Sequence, residues 1–139
     1  MQSCKVMIDT NIFLDVLLER EGLADTSAAV LTMCEEGRLQ GLVSASCVTD
    51  IFYIVRKALH STDAAYTAIG KVLNIVRVCD VTNADVLLAY EKKAHDFEDC
   101  LLSVCAESAG CRYVVTRNTK DYAELDIPAI LPEELLKNV

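Results

Sequence analysis

The sequence predicts an α/β fold in which helices cover both faces of a parallel sheet. Short apolar runs rich in β-branched residues alternate with segments of helical periodicity along the chain, and this alternation is typical of strand–helix–strand units. The chain has 139 residues, of which 53% are hydrophobic, enough for one core. It contains no low-complexity segment, internal repeat or Gly/Ser linker. We therefore expect a single domain over residues 1–139.

In the first half of the chain, each predicted strand is followed by helical segments. Gly37 is a natural end for one of these helices, because glycine readily adopts the positive φ of a C-terminal cap. A longer helix follows, in which apolar residues from Val48 to Leu59 mark one face at three-to-four spacing. The predicted elements are a strand at residues 5–8, helices at 11–19 and 27–36, a strand at 39–43 and a helix at 47–59.

The second half continues the alternation. Ser61 or Thr62 is expected to cap a helix, and Thr82 with Asp85 three residues later is typical of the start of another. Pro132 suits the first turn of a last helix, because its fixed φ is already helical. The predicted elements are a helix reaching residue 75, a strand at 76–81, helices at 82–90 and 97–109, strands at 113–115 and 128–131, and a helix from 132.

The chain is acidic, with a formal net charge of −8. This charge argues against broad electrostatic binding to nucleic acid or to an anionic membrane. A nucleic-acid substrate is still compatible with it, because basic residues at 56–57, 92–93 and 117–120 offer a limited rim for phosphates, unless they are simply solvated helix faces. No apolar stretch approaches the roughly 18 residues that cross a bilayer. We expect a cytoplasmic protein that makes no membrane contact.

The seven cysteines are expected to be reduced core thiols. Their number is odd, and no pair has the two-residue spacing of zinc knuckles or redox motifs. Neither His60 nor His95 lies at ligand spacing from a cysteine pair, so no zinc site is predicted.

Three acidic residues lie where the chain leaves a strand or enters a helix. Asp9 closes the first strand, Asp50 follows the second, and Asp99 lies shortly before the strand at 113–115. Sites in parallel sheets form outside the carboxyl ends of the strands, so these carboxylates converge if the strands are neighbours. Two carboxylates about 4 Å apart repel by about 4 kcal/mol at an effective dielectric of about 20, which opposes folding unless a cation compensates. Mg²⁺ or Mn²⁺ suits such oxygen ligands.

Polar neighbours support this interpretation, although each has a simpler explanation. Asp9 is followed two residues later by Asn11, which can orient the carboxylate, but an Asp-x-Asn sequence is also common in turns. Asp96 and Asp99 would share a helix face at three-residue spacing, yet a helix N-terminus favours acidic residues without any metal. Residues 116–121 follow a strand and are expected to form an oxygen-bearing wall of the site.

Four motifs in this order resemble the signature of the PIN-domain nucleases. They are Met7-Ile8-Asp9-Thr10-Asn11, Val43-Ser44 with an acidic residue a few positions later, Asp96-Phe97-Glu98-Asp99, and Val115-Thr116-Arg117-Asn118 with Lys120-Asp121-Tyr122. The tail from Ile127-Pro128 to Leu136 is similar to that of a bacterial subgroup of toxin components, the VapC type. The resemblance implies a three-layer α/β/α sandwich with a central parallel sheet. It also implies a Mg²⁺- or Mn²⁺-dependent endoribonuclease acting on RNA, often a homodimer and often paired with an antitoxin protein.

The resemblance further implies roles for individual residues. Asp9 and Asp99 would be metal ligands, and Asp50 would take the place of a second acid, although that acid is typically a glutamate. Asn11 and Thr116 would complete the catalytic set by orienting the ligands or water.

The fourth acidic position stays open. It matches Asn118, which is neutral, or Asp121, which lies further along the loop, and Asp96 is an additional candidate metal ligand. We expect Arg117, Asn118 and Lys120 to contact the substrate.

Two other functions are compatible with the sequence. A catalytically weak PIN-like module that binds RNA or a protein partner would explain the acidic charge, the shorter Asp50 and the neutral Asn118. A phosphatase with Asp9 as nucleophile is less well supported, because Asn11 occupies the place of a general acid.

Overall fold

The computed structural model describes residues 4–139 and contains a five-stranded parallel sheet. The strand order is β3-β2-β1-β4-β5, and every pair is parallel. β1 is therefore central, with β2 and β4 as its neighbours. The strands are β1 (Cys4–Ile8), β2 (Leu39–Ser44), β3 (Arg77–Cys79), β4 (Tyr113–Val115) and β5 (Ala129–Ile130).

Seven helices within residues 4–139 complete the fold, and the prediction of an α/β/α sandwich is confirmed. A short 3-10 helix, Thr119–Tyr122, follows β4 and was not predicted. The helices are α1 (Thr10–Leu17), α2 (Ala24–Glu35), α3 (Ala45–Leu59), α4 (Thr62–Ile75), α5 (Asn83–Lys92), α6 (Phe97–Ser108) and α7 (Pro132–Lys137).

Burial of the central strand shows why the sheet needs helices on both sides. Val6, Met7 and Ile8 are consecutive in β1, so their side chains point alternately to the two faces, and all three are fully buried. Such a continuous apolar run is typical of a parallel strand that is covered on both faces. Among residues 4–139, no helix has the length and apolar character needed to cross a membrane.

The outer strands are shorter than predicted. The predicted strand at 76–81 is reduced to β3, because its partner β2 ends at Ser44 where α3 begins. The predicted strand at 128–131 is reduced to β5, which pairs only with the last two residues of β4. Helix α2 begins at Ala24, three residues before its predicted start, and α1 ends at Leu17 instead of residue 19.

A close contact between α2 and the sheet depends on the absence of a side chain at Gly41. A Cβ atom built there would lie 2.6 Å from Cys34 Sγ and 2.9 Å from Val76 Cγ1. Both neighbours are buried, so neither can move away without disturbing the core. Gly41 is thus required by packing.

Gly41→Ala is expected to lower the free energy of unfolding by about 1–3 kcal/mol, because overpacking displaces buried side chains. Gly70→Ala is the matched control: no atom lies within 4 Å of a Cβ built at Gly70, and alanine is favoured over glycine in a helix by about 0.5–1 kcal/mol. Urea denaturation should show opposite signs for the two variants. A stabilised Gly41→Ala protein would contradict this packing account.

Candidate metal centre

Asp9 is fixed at the carboxyl end of the central strand by hydrogen bonds to both of its carboxylate oxygens. It caps α1, with Oδ1 accepting the backbone N–H of Thr10 at 2.7 Å, while Oδ2 accepts the hydroxyl of Thr116 at 2.8 Å. The pairing of Ile8 with Val115 explains the second contact, because it sets the next residue of each strand side by side. Only 9% of Asp9 is exposed.

The hydroxyl of Thr116 connects Asp9 to two other segments. Thr116 is fully buried, and its Oγ1 accepts Nδ2–H of Asn11 at 3.3 Å and the backbone N–H of Asn118 at 3.1 Å. Since its single proton is donated to Asp9, Thr116 serves as acceptor toward the other two. The structure therefore brings Asn11 and Thr116 against Asp9, as expected for residues that orient a carboxylate.

Asp99 reaches the same place from α6 through a shared hydroxyl group. The Tyr122 hydroxyl lies 3.3 Å from Asp9 Oδ2 and 3.2 Å from Asp99 Oδ1. Tyr122 is 2% exposed, and its one proton can be donated to only one of the two carboxylates at a time. Tyr122 was not predicted as a site residue. Its only signal was its place at the end of the last motif.

Burial and mutual repulsion disfavour the charged forms of both carboxylates. Burial raises the pKa of Asp9, and the hydrogen bonds from Thr116, Thr10 and Tyr122 only partly offset it. Burial also raises the pKa of Asp99 to about 6, with further contributions from the charges of Asp9 and Asp96. The centre therefore concentrates negative charge that its own hydrogen-bond donors do not fully compensate.

Asp50 lies in α3 and has an acidic neighbour that was not predicted as a site residue. This neighbour is Glu98 at the start of α6, whose carboxyl group lies close enough to Asp50 to interact with it. Partial burial raises the pKa of Glu98, and the nearby charges of Asp50, Asp96 and Asp9 raise it further. Glu98 belongs to a predicted motif, but the sequence did not show that its side chain faces α3. The two carboxyl groups therefore lie near each other, one from α3 and one from α6.

Asp96 has a structural role that explains its position without a metal. Its Oδ1 accepts the backbone N–H of Asp99 at 2.9 Å, so it caps the N-terminus of α6. Asp121 and Lys120 are exposed and line a cavity of about 290 Å³ together with Asp96. Asn118 is also exposed, at the start of the 3-10 helix. These residues lie at the rim of the centre.

Arg117 is placed differently from the expectation that it contacts substrate. Its side chain turns away from the carboxylates, where Nε donates to Asp15 Oδ2 at 3.0 Å and a second nitrogen pairs with Glu133. Only 14% of the side chain is exposed. Strand position indicates where residue 117 lies, but the buried partners Asp15 and Ser27 decide where its side chain points. A substrate contact by Arg117 stays a prediction, and this side-chain position does not favour it.

The donor atoms of this centre fit a hard divalent cation. Asp9, Asp99, Asp50 and Glu98 offer carboxylate oxygens, the ligand type that Mg²⁺ and Mn²⁺ prefer. Within residues 4–139, no three His, Cys, Asp or Glu side chains already stand in a metal-binding arrangement. In this conformation the Tyr122 hydroxyl lies against both Asp9 and Asp99. A cation would thus replace or supplement that hydroxyl as the compensating group.

Comparison with known proteins agrees with the fold and with the order of the motifs. The sequence profile of the PIN domain matches residues 5–120. Ribonuclease VapC1 from Aquifex aeolicus (strain VF5) is 27% identical over 139 residues, covering 96% of this chain and 94% of the relative.

Two solved structures share the fold. Mycobacterium tuberculosis VapC20, described as a sarcin-ricin loop cleaving toxin, aligns with a TM-score of 0.67 at 14% identity over 87% of this chain and 96% of that chain. A toxin–antitoxin complex from Klebsiella pneumoniae aligns with a TM-score of 0.65 at 19% identity over 91% of this chain and 97% of that chain. At these identities the likeness shows the fold alone.

Asp99→Asn is expected to stabilise the metal-free protein at pH 8. The folded-state pKa of Asp99, about 6, lies above its ordinary value of 3.8, so the charged form destabilises the fold above pH 6 and this cost disappears as the pH falls toward 4. The gain should be about 1–3 kcal/mol at pH 8, allowing for partial solvent screening, and near zero at about pH 4.

Chemical denaturation in EDTA at several pH values measures this difference. Asp63→Asn is the control, since Asp63 is an exposed acid in the first turn of α4. A metal-free Asp99→Asn protein that is less stable than the wild type at pH 8 would contradict the electrostatic account.

Proposed function

The chain belongs to the PIN-domain family, and from this premise we propose that it is a Mg²⁺- or Mn²⁺-dependent endoribonuclease, the toxin component of a toxin–antitoxin pair. One observation carries the proposal. Asp9 and Asp99, from separate elements, meet at the Tyr122 hydroxyl with pKa values raised by burial. Such uncompensated charge opposes folding and is retained where a cation binds.

The residues of the centre have distinct roles in this proposal. Asp9 and Asp99 hold the metal, and Asp50, with Glu98 beside it, extends the ligand set from α3. Thr116 keeps Asp9 in one orientation by its 2.8 Å hydrogen bond. When bound, a divalent cation supplies Lewis-acid chemistry: it lowers the pKa of water and neutralises charge that develops on a phosphate.

The Tyr122 hydroxyl remains a hydrogen-bond donor under all physiological conditions. Its burial and the two adjacent carboxylates raise its pKa, so it does not ionise. It can therefore donate a hydrogen bond to a metal-binding carboxylate. This bond fixes the orientation of the carboxylate and so the direction of the lone pairs that are left for the metal. We assign Tyr122 this orienting role.

RNA is the proposed substrate. The name of the relative VapC1 describes a ribonuclease, and the VapC20 structure is described as a toxin that cleaves the sarcin-ricin loop. Lys120 and Asn118 are exposed at the rim of the centre, where a basic and a polar group can contact phosphates. With a net charge of −8, the chain would bind RNA through this local site and not through its general surface.

A protein partner is supported by exposed apolar side chains on three helices. Tyr53, Leu59, Tyr66, Leu73 and Leu87 are each at least half exposed. Large exposed apolar groups on a small protein are typical of interaction surfaces. We propose that an antitoxin and a second copy of this chain cover such surfaces, and that the protein acts in the cytoplasm. The Klebsiella structure, itself a toxin–antitoxin complex, supports this assembly.

A second function is favoured by a different observation. The Tyr122 hydroxyl occupies the region between Asp9 and Asp99, and no preformed metal site is found within residues 4–139. A PIN-like module that binds RNA or protein without cleavage would need no metal there. Calorimetry distinguishes the two functions: the nuclease binds Mn²⁺ at this centre, and the binding module does not.

Asp9→Asn and Asp99→Asn are each expected to reduce Mn²⁺-dependent RNA cleavage by about a hundredfold or more, because each removes a charge that holds the metal. The asparagine oxygen can still accept from Thr116 and Tyr122 at position 9, and from Tyr122 at position 99, so both variants should fold. Cleavage of labelled single-stranded and structured RNAs, with and without EDTA, measures the effect.

Asp63→Asn serves again as the control, because Asp63 is exposed in the first turn of α4. Its activity should equal that of the wild type. Cleavage that survives in both Asp9→Asn and Asp99→Asn, or that persists in EDTA, would refute the proposed function.

A further inference from the structure

Arg117 directly follows Thr116, but its side chain lies in a different environment. Its guanidinium group enters the region where α1, α2 and α7 meet. There it donates to Thr26 Oγ1 at 2.9 Å, to Ser27 Oγ at 3.0 Å and to the carbonyl of Leu23 at 2.9 Å, and it pairs with Glu133. Arg117 is therefore adjacent to the metal centre in sequence, but its side chain is held away from the carboxylates, among α1, α2 and α7.

Residue 117 is attached to α1 at two points. Its backbone N–H donates to Asn11 Oδ1 at 3.2 Å, and its Nε donates to Asp15 Oδ2 at 3.0 Å. Asn11 and Asp15 are four residues apart, so they lie one turn from each other on the same side of the helix. Two attachments one turn apart prevent residue 117 from sliding or rotating along α1.

The carboxylate that accepts the hydrogen bond from Arg117 Nε belongs to Asp15, which needs several partners because it is buried. Asp15 is fully buried, and it also accepts Ser27 Oγ at 2.8 Å and Arg20 Nη1 at 3.4 Å. A buried charge must be paired and hydrogen-bonded to be tolerated. The planar guanidinium can satisfy Asp15, Glu133 and the α2 hydroxyls together, which a lysine ammonium cannot do.

After Thr116, the backbone of the loop changes from strand pairing to hydrogen bonds with side chains of the centre. The backbone N–H of Thr116 makes the last ladder-type hydrogen bond, to the carbonyl of Ile130 at 3.0 Å. The next two N–H groups donate to side chains instead, from Arg117 to Asn11 and from Asn118 to Thr116. The Arg117 side chain adds an attachment of this segment to α1, α2 and α7.

We propose that Arg117 is a positioning residue of the centre: by clamping the loop to α1 through Asp15, it holds the Thr116 hydroxyl on Asp9. Its influence on metal binding rests on the proposed function, whereas the clamp itself can be tested without metal. Arg117 contacts neither Asp9 nor Asp99 in the hydrogen bonds described for residues 4–139. It acts through Thr116 and Asn11.

The test compares Arg117→Gln with Arg20→Gln. Both variants remove a cationic partner of Asp15, but only residue 117 is joined to the loop. Arg117→Gln should weaken Mn²⁺ binding about tenfold, because the Thr116 hydroxyl is no longer held on Asp9 and the loss of such a direct partner of a ligand usually costs about tenfold or more. It should also speed hydrogen exchange at the amides of residues 117 and 118. Arg20→Gln should leave both quantities within about twofold of the wild type.

A double variant separates positioning from folding. Asp15→Asn combined with Arg117→Gln removes both buried charges and should recover thermal stability relative to Arg117→Gln alone. The proposal predicts that Mn²⁺ affinity and amide protection stay low in this protein. If they recover together with stability, Arg117 acts only through the fold and the proposal is overturned.

Two further outcomes keep the test decisive. If Arg117→Gln does not fold, Arg117→Lys replaces it in the same comparison, since lysine keeps the positive charge but lacks the planar set of guanidinium N–H donors. If the wild type binds no Mn²⁺, the proposed nuclease function fails, while the exchange comparison still decides whether Arg117 holds the loop. Equal exchange rates in the wild type and Arg117→Gln would overturn the inference.

Discussion

The parallel pairing of β1 with β4 is the constraint on which the rest of the structure depends. Because Ile8 pairs with Val115, Asp9 and Thr116 leave the sheet side by side, and the hydrogen bond between them measures 2.8 Å. The same pairing brings the loop after β4 over the start of α1. Register within one strand pair therefore determines both the orientation of the central carboxylate and the path of the loop that supports it.

Burying several carboxylates close together at the carboxyl end of the sheet disfavours their charged forms. Hydrogen bonds from neighbouring groups offset this effect only in part. Asp9 has three hydrogen-bond donors around it, yet burial still raises its pKa. Asp99 shares one of these donors, the Tyr122 hydroxyl, and its pKa is raised to about 6. By contrast, Asp15 is fully buried and is paired with two arginines. The fold thus neutralises the carboxylate that supports the structure and leaves charge at the carboxylates that can bind a cation.

The sequence could predict those features that follow from strand ends and helix periodicity, and it missed those that depend on side-chain direction. Alternating elements predicted the parallel sheet, and the position after each strand predicted that Asp9 and residues 116–121 would meet if their strands were neighbours, which the pairing of β1 with β4 shows they are. Periodicity does not show that Glu98 faces Asp50 or that Tyr122 turns inward from a 3-10 helix. The direction of Arg117 is set by the buried Asp15, a long-range partner that no local pattern reveals.

Anomalous scattering from crystals soaked in Mn²⁺ would show directly whether Asp9 and Asp99 form a divalent cation site. We expect a manganese peak between these two carboxylates, with the Tyr122 hydroxyl displaced from at least one of them. Crystals soaked at millimolar Mn²⁺ that show no peak there, and in which Tyr122 still lies against both carboxylates, would contradict this expectation.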